Sequence, residues 1–245
     1  MTEPFAILHE DNHLLVVVKP PGMPTQRDAS GDADLLTMLK AYVREKYHKP
    51  GAVYMGLVQR LDRPVGGVMV VARTSKAAAR LSALVRERKL DKRYLAVARG
   101  EVPGPLELTD WLRKDERDGM VSVAPEGAPG AKLARLYSAP IATARDEAGE
   151  AYSLLDIRLI TGRAHQIRVQ HANAGYPLVG DRRYGAEAGL TGARANEIAL
   201  WAAGIRFAHP TTREIMYFFA PPETRGHWRK FESVIATFAW EEWHE

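Results

Sequence analysis

The sequence predicts an α+β protein in which helices flank a central mixed, largely antiparallel sheet. Stretches with strand character outnumber stretches with helical periodicity, and short polar turns join several of the strands. The regular strand–helix alternation of a doubly wound parallel sheet is missing. No Gly/Ser-rich or Pro-rich linker interrupts the 245 residues, so we expect one domain spanning residues 1–245.

The expected strands are short apolar runs bounded by turn residues. Asp11 and Asn12 form the turn between the first two runs, and the segment KPPG at residues 19–22 ends the second. In chain order, the expected strands are residues 5–8, 14–18, 68–72, 94–98, 106–112, 133–141, 152–160, 199–207 and 215–219.

The expected helices have apolar residues at a spacing of three or four. Leu35, Leu39 and Val43 show this spacing in a helix over residues 34–47, and Gly175 is well placed to end a later one. The four expected helices are residues 34–47, a helix that Thr74 or Ser75 caps, residues 165–174 and residues 228–243.

The composition excludes several classes of protein. The chain is 46% hydrophobic and 26% charged, as in an ordinary globular protein, and it has no cysteine. Disulfides, thiolate-bound metals and thiol catalysis are therefore excluded. Residues 1–5 lack a basic leader, and the longest apolar run, residues 14–18, is too short to span a bilayer. We expect a cytoplasmic protein with no membrane partner.

A local concentration of positive charge indicates a nucleic-acid partner. The formal net charge is only +4, but the segment from Arg73 to Arg99 contains nine Lys or Arg residues and only two acidic residues. Such a basic strip can contact a phosphate backbone, and Lys89 and Lys92 are its candidate RNA-binding residues. The alternative interpretation is a solvated helix face.

The sequence HEDNH at residues 9–13 matches a zinc-protease motif. That chemistry requires both histidines on one face of a helix, whereas here the motif lies between two expected strands. Its centre, Asp11-Asn12, favours a turn. We therefore expect a hairpin at this position and no metal site.

Three segments contain residue types suited to chemistry on RNA. The first, QRLDRPVGG at residues 59–67, places Asp62 between Arg60 and Arg63, and adjacent positive charge favours a carboxylate. The second, DKRYLA at residues 91–96, presents an aromatic ring next to Lys92 and Arg93, a combination that holds unstacked bases near their phosphates. Read alone, each segment also fits a structural role, as an ion pair or a core tyrosine.

The third segment, LITGRAHQIRVQH at residues 159–171, combines a strand, a glycine turn and a helix start rich in hydrogen-bond donors. Arg163, His165, Gln166 and Arg168 can all face an anionic ligand. His165 and His171 are six residues apart and do not share a helix face, so we do not expect them to bind a metal.

In these segments, and in their order along the chain, the sequence resembles the RluA-type pseudouridine synthases. The resemblance extends from residue 7 to about residue 221. It rests on RLD at 60–62, KRY at 92–94, GRAHQIR at 162–168, PLVGD at 177–181 and YG at 184–185, preceded by ILHEDNHLLVV at 7–17 and KPPG at 19–22.

The resemblance implies a single synthase domain with a cleft across its sheet, which isomerises uridine in ribosomal or transfer RNA without a cofactor or metal. It implies that Asp62 is catalytic, that Tyr94 stacks on the target uracil, and that Arg168 pairs with Asp62. Arg60 would occupy the space left by the flipped base. Since the chain starts directly at the synthase pattern, we expect no extra N-terminal RNA-binding domain, and no obligate protein partner.

Four residues depart from the family pattern. Gln59 replaces the usual His, Val65-Gly66 replaces Thr-Ser, and Val18 replaces the Asn before Lys-Pro. These departures concern the geometry of the loop and the choice of substrate, and they motivate an alternative, a non-catalytic RNA-binding protein on a synthase fold. A zinc hydrolase is a third hypothesis. The sequence leaves open whether Asp62 attacks the sugar, attacks the base or removes a sugar proton.

Overall fold

The computed structural model describes residues 4–185 and 198–238. Strands in these ranges are β1 (Ala6–Glu10), β2 (Leu14–Lys19), β3 (Gly56–Leu57), β4 (Gly66–Ala72), β5 (Asp91–Arg99), β6 (Leu106–Lys114), β7 (Val121–Ala124), β8 (Lys132–Arg145), β9 (Ala151–Leu159), β10 (Leu200–Ala208) and β11 (Ile215–Phe219). The helices are α1 (Leu35–Lys46), α2 (Ser75–Arg86), α3 (Gln166–Asn173), a 3-10 helix (Gly226–Phe231) and α4 (Glu232–Thr237). The α+β prediction is confirmed.

The described residues fall into two compact units. The described residues of the first unit lie within Met1–Lys92 and Ala202–Ala220, and those of the second lie within Arg93–Trp201 and Pro221–Glu245. Each unit has an apolar core of its own and is described by itself below.

In the first unit, the strands follow the order β1-β2-β4-β10, with β3 on β4 and β11 on β10. β2 and β4 run antiparallel from the pair Leu14↔Ala72 to the pair Lys19↔Gly67. This register brings the end of β2 to the start of β4, directly after the loop that contains Asp62. Every residue of β4 is buried, which explains its unbroken apolar sequence GGVMVVA.

Two helices pack beside these strands, and both begin at a side-chain cap. Asp34 accepts a hydrogen bond from the backbone N–H of Thr37 and caps α1. Thr74 accepts one from Ala77 and caps α2, which selects Thr74 over Ser75, the other residue predicted for this role. Ala77 and Leu81 of α2 join the buried cluster of β2, β4 and β10.

In the second unit, β5, β9, β8, β6 and β7 lie side by side, each antiparallel to its neighbour. The 3-10 helix and α4 cover one part of this sheet, where Phe231 and Ile235 pack against Val97 and Leu154. α3 covers another part, where Val169 joins a cluster with Leu112 and Val121.

Four expectations about secondary structure were incomplete or wrong. β3 and β7 are short strands that were not predicted. β8 extends to Arg145, past a shift in its register between Pro140 and Ala142, where proline offers no N–H to the ladder. The expected helix over residues 228–243 is instead a 3-10 turn followed by α4, which begins at Glu232; residues 239–245 lie outside the described ranges.

Candidate functional site

The loop between β3 and β4 contains Asp62, and its neighbours alternate between exposure and burial. Leu61 is buried, whereas Arg60 and Arg63 on either side are exposed. Because Leu61 anchors the loop in the core, both arginines are directed to the surface and Asp62 is left partly accessible. The loop therefore carries one partly accessible carboxylate and two exposed cations.

The backbone on both sides of Asp62 is fixed by the segment that follows β2. The hydroxyl of Thr25 donates to the carbonyl of Leu61 at 2.8 Å and accepts from the Leu61 N–H at 3.3 Å. On the other side, the N–H of Gly22 donates to the carbonyl of Arg63 at 2.8 Å. Within the loop, the N–H of Val65 donates to the carbonyl of Asp62 at 3.0 Å. Asp62 thus lies on backbone that is held before and after it.

Lys19 joins the same cluster and was not among the predicted site residues. It ends β2, is 0% exposed, and donates to the carbonyls of Pro20 (2.9 Å), Met23 (2.7 Å) and Arg63 (3.2 Å). Burial lowers the pKa of Lys19 to about 7, while the negative charge of Asp62 acts to raise this pKa. In the sequence, its only indication is its position directly after the apolar run of residues 14–18.

Arg63 is exposed but already paired. Its guanidinium bonds to Asp32 and lies 3.8 Å from Asp28, and its Nε donates to the carbonyl of Gly22 at 3.1 Å. Both carboxylates are exposed, so these ion pairs are weak and RNA phosphates can compete for the arginine.

The motif on β5 is more buried than expected. Tyr94 is 8% exposed, and burial lowers the pKa of Lys92. Arg93 is buried and forms a fork on Asp156, with Nε–Oδ1 at 2.7 Å and Nη2–Oδ2 at 2.5 Å. Burial raises the pKa of Asp156 and Arg93 opposes that rise. This geometry gives Arg93 a structural role within the fold, unlike the surface cation that the sequence led us to expect.

Arg168, in the first turn of α3, is held by a buried carboxylate. Arg168 forms a buried fork on Asp181, with its Nε and Nη2 each 2.8 Å from a carboxylate oxygen. Asp181 is 1% exposed and also accepts from the N–H groups of Arg183 and Tyr184 at 3.0 and 3.2 Å. The Arg168 guanidinium lies 5.1 Å from the centre of the Tyr184 ring. Asp181 therefore orients Arg168; the pairing of Arg168 with Asp62 stays a prediction.

His165 precedes α3 in the left-handed conformation, with φ of 50°. Its Nδ1 lies 2.6 Å from the hydroxyl of Tyr184, which also accepts from the N–H of Val121 at 3.0 Å. Tyr184 therefore fixes the ring of His165 as well as packing on Arg168. Neither Tyr184 nor Asp181 was predicted as a functional residue, although both lie in the PLVGD…YG segment of the family pattern.

Gln166 and Arg163 support the turn before α3. Gln166 is buried, accepts from the Thr161 hydroxyl at 2.8 Å and from the Arg163 N–H at 3.0 Å, and donates to the carbonyl of Arg135 at 3.0 Å. The Nε of Arg163 donates to the carbonyl of Leu133 at 2.9 Å. These bonds occupy the side-chain amide of Gln166, which therefore positions the turn. Arg163 is exposed, and of its guanidinium these bonds use only Nε.

The HEDNH motif lies in the hairpin between β1 and β2, as predicted. Asp11 accepts from the N–H groups of His13 and Leu14 at 2.6 and 2.7 Å, and its other oxygen lies 3.0 Å from the Nε2 atoms of both His9 and His209. Within the described ranges, no three His, Asp or Glu side chains are arranged to hold a metal ion.

His171, on α3, is fully buried. It bonds to the carbonyl of Ile167 and the hydroxyl of Ser138, and burial lowers its pKa to about 4. The ring is therefore neutral at physiological pH and serves the packing of α3.

In the described part of the chain, no helix combines the length and the apolar character needed to cross a membrane.

The chain is similar to known proteins over most of its length. It is 35% identical over 227 residues to the ribosomal large subunit pseudouridine synthase C of Escherichia coli (strain K12), covering 88% of this chain and 66% of that protein. It is 33% identical over 225 residues to the protein of the same name from Vibrio vulnificus (strain CMCP6), covering 88% and 65%. The chain therefore spans about two thirds of the length of these relatives.

Two human structures share the fold. Human RNA pseudouridylate synthase domain containing 4 superimposes with a TM-score of 0.73 at 20% identity, over 94% of this chain and 93% of that one. Human RNA pseudouridylate synthase domain containing 1 gives a TM-score of 0.69 at 22% identity, over 96% of both chains. Residues 13–173, which include the Asp62 loop, β5 and most of α3, match the RNA pseudouridylate synthase family, and the chain belongs to that family.

Proposed function

We propose that this chain is an RNA pseudouridine synthase that acts on large-subunit ribosomal RNA, with Asp62 as its essential carboxylate. The observation that carries the proposal is the partly accessible Asp62 on a loop whose backbone is fixed on both sides, within a chain that belongs to the family. The names of the Escherichia coli and Vibrio relatives support ribosomal RNA over transfer RNA as the substrate. We infer a cytoplasmic location, where that RNA is made and modified.

The reaction is an isomerisation that needs no outside group. The bond between N1 of uracil and C1′ of ribose breaks, C5 bonds to C1′, the C5 proton is lost, and N1 gains a proton. Nothing is oxidised and nothing is donated, so no cofactor or metal is required by the chemistry. A carboxylate can attack the sugar, attack the base or remove a sugar proton, and all three routes begin with an ionised Asp62.

The other residues hold the nucleotide and the carboxylate. Removing the uridine from its stack costs roughly a few kcal/mol, which stacking on Tyr94 and insertion of the exposed Arg60 would offset. Arg168 would stabilise the ionised Asp62, and its fork on Asp181 would set the direction of its guanidinium. Arg63, Lys89 and Arg163 are exposed cations suited to phosphate contacts, whereas the buried Arg93 and Gln166 would act by supporting these residues.

Release of tritium from RNA that carries [5-³H]uridine tests the activity directly. A synthase must release the C5 label to solvent, and a non-catalytic RNA-binding protein on the same fold releases none. We expect release from a transcript of large-subunit ribosomal RNA by the purified chain. Loss of pseudouridine at a single site of that RNA in cells without the gene would identify the uridine; an unchanged ribosomal map would remove ribosomal RNA as the substrate.

A further inference from the structure

Thr25 is a buried residue whose hydroxyl bonds to both backbone groups of Leu61. It donates to the Leu61 carbonyl at 2.8 Å and accepts from the Leu61 N–H at 3.3 Å. One side chain thus makes the two hydrogen bonds that a paired residue on a neighbouring strand would make. Leu61 is also buried, where unpaired backbone groups are costly. Because Leu61 directly precedes Asp62, the hydroxyl acts one peptide bond away from the candidate catalytic residue.

The backbone of Thr25 is bonded in turn to the start of α1. The N–H of Leu36 donates to the carbonyl of Thr25 at 3.1 Å, and the N–H of Leu35 donates to the carbonyl of Pro24 at 2.9 Å. Both donors belong to the first turn of the helix, where they have no partner within the helix itself. Leu35 is 0% exposed, so this end of α1 is fixed in the core. Thr25 therefore connects a fixed helix start to the Asp62 loop.

The chain that follows Thr25 is a surface loop. Residues 26–33 are all exposed, and they include Asp28 and Asp32, the two carboxylates that pair with Arg63. Ion pairs between exposed side chains contribute little, because water and salt screen them. The support that this segment gives the Asp62 loop therefore depends on the buried hydrogen bonds of Thr25 more than on the ion pairs of Arg63.

We propose that Thr25 is a positioning residue for Asp62: its hydroxyl fixes the backbone of Leu61 against the start of α1 and thereby sets the position of the carboxylate. The proposal rests on the proposed function and adds to it a residue that acts through Leu61. Without the hydroxyl, the backbone groups of Leu61 must find other partners, and the loop shifts to reach them. A displacement of about 1 Å at a catalytic group can lower a rate about 100-fold.

Substitutions at Thr25 separate the hydroxyl from the shape of the side chain. Thr25→Val keeps the shape and removes the hydroxyl, Thr25→Ser keeps the hydroxyl, and Thr25→Ala leaves a space in which a water can bond to Leu61. Thr74→Val is the matched control, because it makes the same chemical change in the same unit and breaks the hydrogen bond from the Ala77 N–H at the cap of α2. Tritium release gives kcat and KM, and thermal melts give the folded fraction.

We expect kcat, corrected for the folded fraction, to fall about 10- to 100-fold in Thr25→Val and to recover most of this loss in Thr25→Ser. KM should change less than about twofold, because phosphate contacts away from the loop dominate RNA affinity. Thr74→Val should lower the melting temperature, as Thr25→Val does, but keep the wild-type kcat. If Thr25 only stabilised the fold, the corrected kcat of Thr25→Val would equal that of the wild type, and this result would overturn the proposal.

Amide hydrogen exchange of the free protein, measured by NMR, tests the contact itself. In Thr25→Val the Leu61 amide loses its acceptor and should exchange about tenfold faster or more. The Leu36 amide is the internal control, since the backbone carbonyl that accepts from it is kept in the variant. Unchanged exchange at Leu61 would overturn the proposal.

Two further measurements cover the case in which Thr25→Val does not fold. Thr25→Ala then replaces it in both assays, with the same expected changes. If neither variant folds, the wild type decides: slow exchange of the Leu61 amide supports the proposal, and exchange as fast as that of residues 26–33 overturns it. Since exchange needs no turnover, a protected Leu61 amide in a wild type that releases no tritium would reject the proposed function and support the contact of Thr25 with the Asp62 loop.

Discussion

At the scale of single residues, the site depends on charged groups that are oriented by partners rather than left free. Arg168 is held by Asp181, His165 by Tyr184, and Arg93 by Asp156. Enzymes stabilise a developing charge best with groups that need no reorganisation during the reaction. Arg168 and His165 are therefore held in fixed orientations near the start of α3, whereas the pair of Arg93 and Asp156 supports the fold.

Asp181→Asn should test the orientation of Arg168. The variant keeps the shape of the side chain but leaves a buried guanidinium without its counter-charge, so we expect a loss of roughly 3–5 kcal/mol in unfolding free energy and a lower kcat. Adding Arg168→Met removes that unpaired charge and should restore part of the stability but none of the activity. Urea denaturation measures the first effect. A double variant less stable than Asp181→Asn would contradict this view of the pair.

Tyr94 should act through its ring more than through its hydroxyl. Stacking needs only the π-face, and its loss costs roughly 1–3 kcal/mol per base, so Tyr94→Ala should lose far more RNA affinity and activity than Tyr94→Phe. Val97→Ala on the same strand is the control for a loss of core volume alone. Rates corrected for folded fraction decide the question: a normal corrected rate for Tyr94→Ala would refute the stacking role.

At the scale of elements, the placement of Asp62 depends on how closely β4 approaches β10. Gly67 has φ of +125°, and a Cβ built on it would lie 2.2 Å from the carbonyl oxygen of Ala202. The turn from the Asp62 loop into β4 is therefore possible only with glycine. Thr25 and Gly22 complete the support from the opposite segment.

Gly67→Ala should be strongly destabilising. The added methyl group meets backbone that cannot move without disturbing the sheet, and we expect a loss of roughly 3 kcal/mol or more in unfolding free energy. Gly22→Ala is the matched control, since Gly22 has φ of +85° but no atom within 4 Å of its Cβ position, and it should lose only roughly 1–2 kcal/mol. Thermal melts measure both losses. If the two variants lost equal stability, backbone conformation alone, and not the contact with Ala202, would explain the need for glycine at position 67.

Much of this architecture was predictable because burial and capping leave local signals. The apolar run of β4 and the cap at Thr74 marked their elements correctly. β3, only two residues long, has too few residues to show a period, and Pro140 obscured the length of β8. Lys19 was not predicted as a site residue because its three hydrogen-bond partners are backbone carbonyls, which any sequence can supply. Asp62, by contrast, was found from several motifs in a fixed order.

At the scale of the whole molecule, some residues of the basic strip between Arg73 and Arg99 are bonded within the fold, and others are exposed. Arg73 is mostly buried against Glu10 at 3.2 Å, Arg80 donates to the carbonyl of Pro210 at 2.7 Å, and Arg93 is held by Asp156. The exposed members include Arg86, Arg88 and Lys89, at the end of α2 and in the turn that follows. Only the exposed part is available to phosphates.

The salt dependence of RNA binding should follow these exposed residues. Each phosphate contact contributes a slope of roughly −0.7 to −0.9 in log affinity against log salt concentration. Replacing Arg86, Arg88 and Lys89 by Gln should flatten the slope by up to the sum of three such contacts. The control replaces Lys40, Arg44 and Lys49, on and after α1, by Gln. Equal slopes for the two triple variants would identify the strip as a solvated face.

The central claim is that Asp62 performs the isomerisation, and single-turnover release of tritium from [5-³H]uridine ribosomal RNA tests it most directly. Asp62→Asn preserves the shape of the loop, and Asp28→Asn, another acid near Arg63, is its control. We expect release by the wild type and by Asp28→Asn, and none by Asp62→Asn, although all three bind the RNA with similar affinity and melt at similar temperatures. Substantial release by Asp62→Asn would contradict the account.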